Sequence, residues 1–250
     1  MATLTKAWGT GTGSVTLTYG GQLDGTITVD SDPNDLTVDR SMTIDVKSSV
    51  GGITRTVTIV QKGMTSPYDA KISYISTDGN QWIRIPLKGS ESTDAIEIDF
   101  ERTDNTNQQR YVCCESTSSV FNIYVNGSGK LGYRNNNGWR NPNSAVIGLT
   151  RHVIFVDYYN KVIKMDGTTL TWAGGNSTYT QNNNIAVLKL YSGNPAIVGK
   201  LYGLKFWRSG TLKYDMFPVR KNGVGYMYDS VSGTLFGNAG SGSFGLGPDL

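Results

Sequence analysis

Three acidic side chains stand two residues apart in Glu97-Ile98-Asp99-Phe100-Glu101. On an extended strand, residues i, i+2 and i+4 share a face with neighbours roughly 6.5–7 Å apart, so the three carboxylates line up. A retaining glycosidase needs acid and nucleophile about 5–5.5 Å apart, and strand twist brings two such carboxyls near that spacing. The structural alternative makes Ile96, Ile98 and Phe100 the buried face of a half-exposed strand and the acids its wet side. Nucleophilic chemistry of other kinds has little to build on. His152 is the single histidine, so a Ser-His-Asp or Cys-His set would have to centre on it, and zinc lacks a ligand set. It stands beside Arg151 at the start of an apolar strand. Cys113 and Cys114 are adjacent, a spacing at which a disulfide is strained and closes almost no loop. They read as small strand residues facing opposite ways. Gly237-Asn-Ala-Gly-Ser-Gly-Ser243 lacks the Gly-Lys-Ser/Thr ending of a phosphate loop and opens no helix, so it reads as turns. No cofactor is expected.

Binding chemistry is better represented. Tyr133-Arg-Asn-Asn-Asn-Gly-Trp139-Arg-Asn-Pro-Asn143 reads as too polar for a core strand, yet it carries two large rings. Glycans are held by an aromatic ring against the sugar face while amide and guanidinium groups bond the hydroxyls. Tyr133, Arg134, Asn136, Trp139 and Arg140 are therefore candidate contacts. Trp172 and Tyr179, in a second amide-rich stretch over 172–184, join them. The same residues suit protein–protein contacts, where Tyr, Trp and Arg dominate, or ordinary loops whose rings fold back onto a core.

The elements that must position these residues are strands. The chain has 250 residues with 31 glycines, 7 prolines and 17% charged residues, richer in glycine and poorer in charge than the usual ~7% and ~25%. Apolar residues alternate with polar ones in Val15-Leu17-Tyr19, Met42-Ile44-Val46 and 53–60, and again in Ala70–Ser76, Ala95–Glu101, His152–Tyr158, Lys161–Met165 and Gly199–Arg208. Turn dipeptides separate the runs: Gly20-Gly21, Gly51-Gly52, Asp78-Gly79, Asn126-Gly127, Asp166-Gly167, Ser209-Gly210 and Asn222-Gly223. Pro67 cannot continue a central strand. The expectation is an all-β chain: a small sandwich over 1–63, a linker over 64–68 and a larger two-sheet sandwich over 69–250. The net charge of +3 comes without a basic cluster, so no nucleic-acid partner is expected, and no apolar run is long enough for membrane insertion. Met1 to Tyr19 shows no apolar signal-peptide core, which suggests synthesis in a cytoplasm without export.

Two family resemblances sit on these modules. Asn34-Asp-Leu-Thr-Val-Asp-Arg40, Met42-Thr-Ile-Asp-Val46 and Arg55-Thr-Val-Thr-Ile-Val-Gln-Lys62-Gly63 resemble a BACON-type immunoglobulin-like domain, a module of Bacteroidetes proteins and their phages. Tyr68 to Ile83, with a hairpin at Asp78-Gly79, Arg151 to Gly167, and Gly199 to Trp207 resemble the concanavalin-like, laminin-G-type jelly roll. Asp215 to Asp229, Val231-Ser-Gly233 and Phe236 to Phe244 are similar to the closing segment of such modules in phage virion proteins and bacterial surface proteins. The resemblance implies a non-enzymatic virion protein of a crAss-like phage, as capsid decoration, head fibre or tail protein. It also implies other virion proteins as partners, homo-oligomerisation, and contact with a bacterial surface glycan. E-x-D-x-E on a jelly-roll strand also resembles laminarinase-type hydrolases, which keeps Glu97, Asp99 and Glu101 open as a catalytic alternative. A bacterial carbohydrate-binding surface protein is the other. Laminin-G-type modules sometimes bind calcium, but Asp157, Asp166 and Asp229 are far apart in sequence and lie at turns, where Asp is expected anyway, so no metal site is expected.

Overall fold

The computed structural model describes residues 2–8, 11–20, 24–31, 39–47, 54–62, 66–104, 110–114, 122–135, 138–142, 145–173, 179–189 and 197–250. Every element in them is a β-strand, and every strand pairing is antiparallel. The chain divides into two compact units, Met1–Ser66 and Pro67–Leu250.

In the first unit, β1 (Ala2–Trp8), β2 (Gly11–Gly20) and β3 (Asp24–Ser31) form one sheet, and β4 (Arg40–Lys47) pairs β5 (Thr54–Gln61) in another. Arg40 Nε donates to Gln61 Oε1 at 2.7 Å across the second pair. Gly21, Gly51-Gly52 and residues 34–38 of the BACON-like stretch lie outside the described residues.

The second unit is a sandwich. One sheet has the order β13-β12-β11-β10-β17-β8: β8 (Ile83–Ser90), β10 (Arg110–Cys114), β11 (Asn122–Val125), β12 (Leu131–Asn135), β13 (Gly138–Arg140) and β17 (Thr180–Val187). The larger sheet runs β16-β15-β14-β9-β18-β19-β20-β21: β9 (Asp94–Arg102), β14 (Arg151–Asp157), β15 (Val162–Met165), β16 (Thr168–Leu170), β18 (Gly199–Arg208), β19 (Thr211–Lys221), β20 (Val224–Asp229) and β21 (Thr234–Phe236). The short β6 (Ala70–Lys71), β7 (Ile75–Thr77) and β22 (Gly245–Leu246) complete it. Ile96, Ile98 and Phe100 of β9, Ile154 and Val156 of β14, and Leu201, Leu204 and Phe206 of β18 point into the core. They meet Ile83, Ile85, Tyr111, Ile123 and Ile185 of the other sheet, with the Phe100 and Tyr111 rings 3.8 Å apart. Burial of this many large aliphatic side chains, each contributing ~1.5–3 kcal/mol, holds the two sheets face to face.

Three of the turn dipeptides close two-residue hairpins. Asp166-Gly167, Ser209-Gly210 and Asn222-Gly223 all have positive φ at both positions, between 50° and 79°, the backbone that matches the twist of the flanking strands. Asp78-Gly79 does not form the expected hairpin, because β7 belongs to the larger sheet and β8 to the other. The segment crosses between sheets, fixed by Gln81 Oε1, which accepts from Thr77 Oγ1 and the Asp78 N–H at 3.0 Å each. Asn126-Gly127 opens a longer turn in which Gly129 takes the positive φ of 73°, while Asn126 Oδ1 accepts from the N–H groups of Ser128 and Lys130. The run Ala70–Ser76 is broken into β6 and β7.

Candidate functional site

The alternation that buries Ile96, Ile98 and Phe100 puts Glu97, Asp99 and Glu101 on the opposite, outer face of the larger sheet. Each meets a cation from a neighbouring strand. Arg151 grips Asp99 through Nε and a terminal nitrogen at 2.8 and 2.7 Å. Lys200 Nζ lies 2.9 Å from Glu101 Oε1, and Lys205 Nζ lies 3.8 Å from Glu97. Tyr202 donates its hydroxyl to Glu101 Oε2 at 2.6 Å. That bond first, and the Lys200 ammonium second, hold the Glu101 carboxyl below its usual range. Desolvation, then the bond to Glu101, push the Tyr202 phenol up to about 12. A glycosidase acid needs the reverse, a carboxyl raised toward neutrality.

Register places further side chains in rows across this face. Lys164, Phe155, Glu97, Lys205 and Asp215 pair in sequence from β15 to β19. In the adjacent row Asp157, Ala95 and Trp207 are aligned. Phe155 and Trp207 are half-buried and meet edge to face, 5.7 Å between ring centroids. Along β18 the strand phase changes at a bulge between Leu201 and Gly203. Leu201 and Leu204 are both buried, leaving Tyr202 and Gly203 on the outer side, so the bulge aims the Tyr202 ring across the sheet. Arg151 stacks over that ring at 4.1 Å, and Tyr74 meets it at 5.6 Å.

These side chains enclose three hollows of about 230 Å³ each. The first is walled by Phe155, Trp207, Tyr159 and Asn160. The second shares Phe155 and Trp207 and adds Glu97, Lys164 and Val153. The third shares Glu97 and adds Asp99, Tyr202, Lys205 and Phe217 over Gly203. Each is below the ~300 Å³ at which drug-sized sites begin, and common walls make them one run.

The aromatic stretches singled out in the sequence lie elsewhere. Tyr133 is on β12 and 0% exposed, so it is a core residue despite its polar neighbours, because every second residue of β12 turns inward. Its ring stacks on Trp172 at 4.5 Å, and its hydroxyl accepts from the Ala173 N–H at 2.9 Å. Tyr158 closes this internal cluster, at 6.3 Å from Tyr133 and 5.9 Å from Trp172. The stretch from Tyr133 is therefore not a loop but the β12–β13 hairpin, in which Arg134 pairs Trp139 and Tyr133 pairs Arg140. Arg134 and Arg140 are half-buried; Asn136 and the Trp139 side chain lie outside the described residues. The second stretch is part strand, since β17 begins at Thr180 and buries Gln181. Tyr179 precedes it, half-buried, its carbonyl accepting from the Glu91 N–H; residues 174–178 lie outside the described residues. Sequence reasoning missed Phe155, Tyr202 and Trp207. A Phe and a Trp on the polar phase of Ile154-Phe155-Val156 and Phe206-Trp207 were the signal available.

The three aspartates are engaged separately. Asp157 caps the turn at Asn160, with both oxygens bonded at 2.8 Å. Asp166 accepts from His152 Nδ1 at 2.8 Å and from the Val153 N–H at 2.9 Å. Asp229 accepts from the N–H groups of Asp215, Val231 and Ser232.

No family model matches the chain, and no curated protein matches it. Among solved structures it is similar to one described as a "putative carbohydrate binding protein" from Bacteroides ovatus, with a TM-score of 0.50 and 12% identity over 85% of this chain and 68% of that one. At that identity the likeness shows a shared all-β fold.

Proposed function

We propose that this chain is a non-enzymatic binding protein whose C-terminal unit holds an extended glycan on the outer face of its larger sheet. The run of three small hollows with shared aromatic walls carries this reading. A string of sugar rings needs a row of compartments, ring faces to stack on and charged groups to bond hydroxyls, and β9, β14 and β18 supply all three. The description of the structural neighbour as carbohydrate binding accords with it. The virion setting rests on the combination of two resemblances, that of residues 1–63 to a module of Bacteroidetes proteins and their phages and that of the closing segment to phage virion and bacterial surface proteins. In that setting the N-terminal unit docks to the particle, the C-terminal unit faces outward, and the chain self-associates. A bacterial surface protein is the second reading, favoured by the bacterial source of the neighbour. Mass spectrometry of purified particles separates the two: the chain is recovered with capsid or tail proteins if the first is right.

Binding is tested on an array of bacterial and plant polysaccharides. We expect Trp207→Ala and Phe155→Ala each to weaken retention roughly tenfold or more, the size of ~1.5 kcal/mol of lost ring contact, while Trp139→Ala leaves it unchanged. Equal loss with Trp139→Ala would move the site to the β12–β13 hairpin. Catalysis is tested separately with β-glucan and capsular polysaccharide. We expect no turnover; release of reducing sugar that disappears in Glu97→Gln would establish a hydrolase instead.

A further inference from the structure

A fourth hollow lies at the far end of β18 from Trp207, and its chemistry differs from the other three. It measures about 490 Å³ and is lined by Ser76, Thr77, Asp78, Gln81, Thr103 and Lys200, with Ser243 and Gly245 of the closing segment. No aromatic ring lines it. Its floor is built from buried polar groups, Gln81 at 4% and Thr77 at 5% exposure. The Gln81 amide is locked by its oxygen, which accepts from Thr77 Oγ1 and the Asp78 N–H. Its Nε2 faces the Asp78 carboxylate, to which it donates, and a Cβ added at Gly242 would stand 3.1 Å from it, so the nitrogen lies beside the Ser243 wall. The hydroxyls of Ser76, Thr103 and Ser243 make no hydrogen bond among the described residues. Three hydroxyls, each able to donate and accept, beside the paired Gln81 amide and Asp78 carboxylate at the lip, form a polar set that complements a polyhydroxylated ligand. The Lys200 charge is matched by Glu101, which disfavours a net anion.

Position makes the hollow more than an isolated cleft. Lys200 and Trp207 are seven residues apart on β18, roughly 23 Å at strand rise, and the aromatic hollows fill the interval. Tyr74 and Tyr202, with Lys200 5.0 Å over the Tyr74 ring, form the ridge between. We propose that this polar hollow is an end subsite: it receives the terminal, hydroxyl-rich residue of the glycan whose inner residues lie along the aromatic run. The inference rests on the outer-face reading above. Inner residues are held by stacking, which tolerates any ring; the terminal residue is read by hydrogen bonds, which reject a ring bearing the wrong groups. The site therefore recognises chain ends.

The test uses the full-length protein, the polysaccharide most strongly retained on the array, and its acid hydrolysate fractionated by chain length. Affinity should rise with length and then level off, and at equal sugar mass the longer hydrolysate fractions, richer in ends, should compete better than the intact polymer. Ser243→Trp, which fills the hollow from an exposed position, should lower affinity for the long fractions roughly tenfold, the loss of a few net hydrogen bonds. It should leave the melting temperature unchanged. Thr103→Arg, from the opposite wall, serves if Ser243→Trp does not fold. Wild-type affinity in both variants, with binding still lost in Trp207→Ala, would overturn the end subsite and leave the outer-face site standing. Competition by the intact polymer equal to that of the fractions would also overturn it. Failure of every glycan to bind would overturn both.

Discussion

Glu101, a catalytic candidate in the sequence, is held in its charged form by its neighbours. The Tyr202 hydroxyl and the Lys200 ammonium stabilise its charged form, so its folded-state pKa is depressed relative to the unfolded chain. A depressed carboxyl contributes stability that is fully present above the unfolded value and is lost as pH falls through the folded one. The melting temperature of the wild type should therefore exceed that of Glu101→Gln at neutral pH, and the gap should close on acidification below the ordinary carboxylate range. A gap that widens toward acid would mean that the carboxyl is raised, as a general acid requires. The period of two in Glu97-Ile98-Asp99-Phe100-Glu101 was enough to place the acids on one face. It was silent on Arg151, Lys200 and Tyr202, because those come from strands about 50 and 100 residues away in sequence. Tyr133 failed in the opposite sense: Arg134 and the asparagines after it made the stretch look exposed, and only pairing with β11 and β13 shows that alternate residues turn inward.

At the level of elements, glycine has two separate uses that substitution should separate. Gly223 sits at φ 76° in the β19–β20 turn with open space where a Cβ would go, so Gly223→Ala meets only backbone strain, about 1–2 kcal/mol. Gly240 has no such φ, but its Cβ would stand 2.0 Å from the Asn80 carbonyl oxygen. Gly240→Ala must displace the closing segment from Trp82, whose carbonyl accepts from the Ala239 N–H. Urea unfolding should show the larger loss for Gly240→Ala; equal losses would mean that the segment gives way freely. The two-residue hairpins could be read from Asp-Gly, Ser-Gly and Asn-Gly alone, since positive φ is a local demand. The crossover at Asp78-Gly79 could not, because a turn dipeptide says where the chain bends and not which sheet receives the next strand. The bulge in β18 was equally hidden, and it reverses the strand's phase so that Tyr202 and Trp207 share the outer side.

On the scale of the whole molecule, the division between Ser66 and Pro67 implies that the C-terminal unit carries its own core. Among the described residues, its buried cluster is drawn from residues after Pro67. A fragment spanning 67–250 should unfold cooperatively, at the temperature of the matching transition in full-length protein, and should keep the glycan affinity of the whole. A fragment that melts far lower would show that the first unit contributes to the core's stability. The all-β class, the strand runs and most of the turns were determined by sequence alone, because alternation and turn chemistry act over a few residues. Which strands lie side by side was decided only by the tertiary structure. β9, β14 and β18 are far apart along the chain, and the aromatic and charged groups of the proposed outer-face site meet only after the two sheets have closed on their shared core.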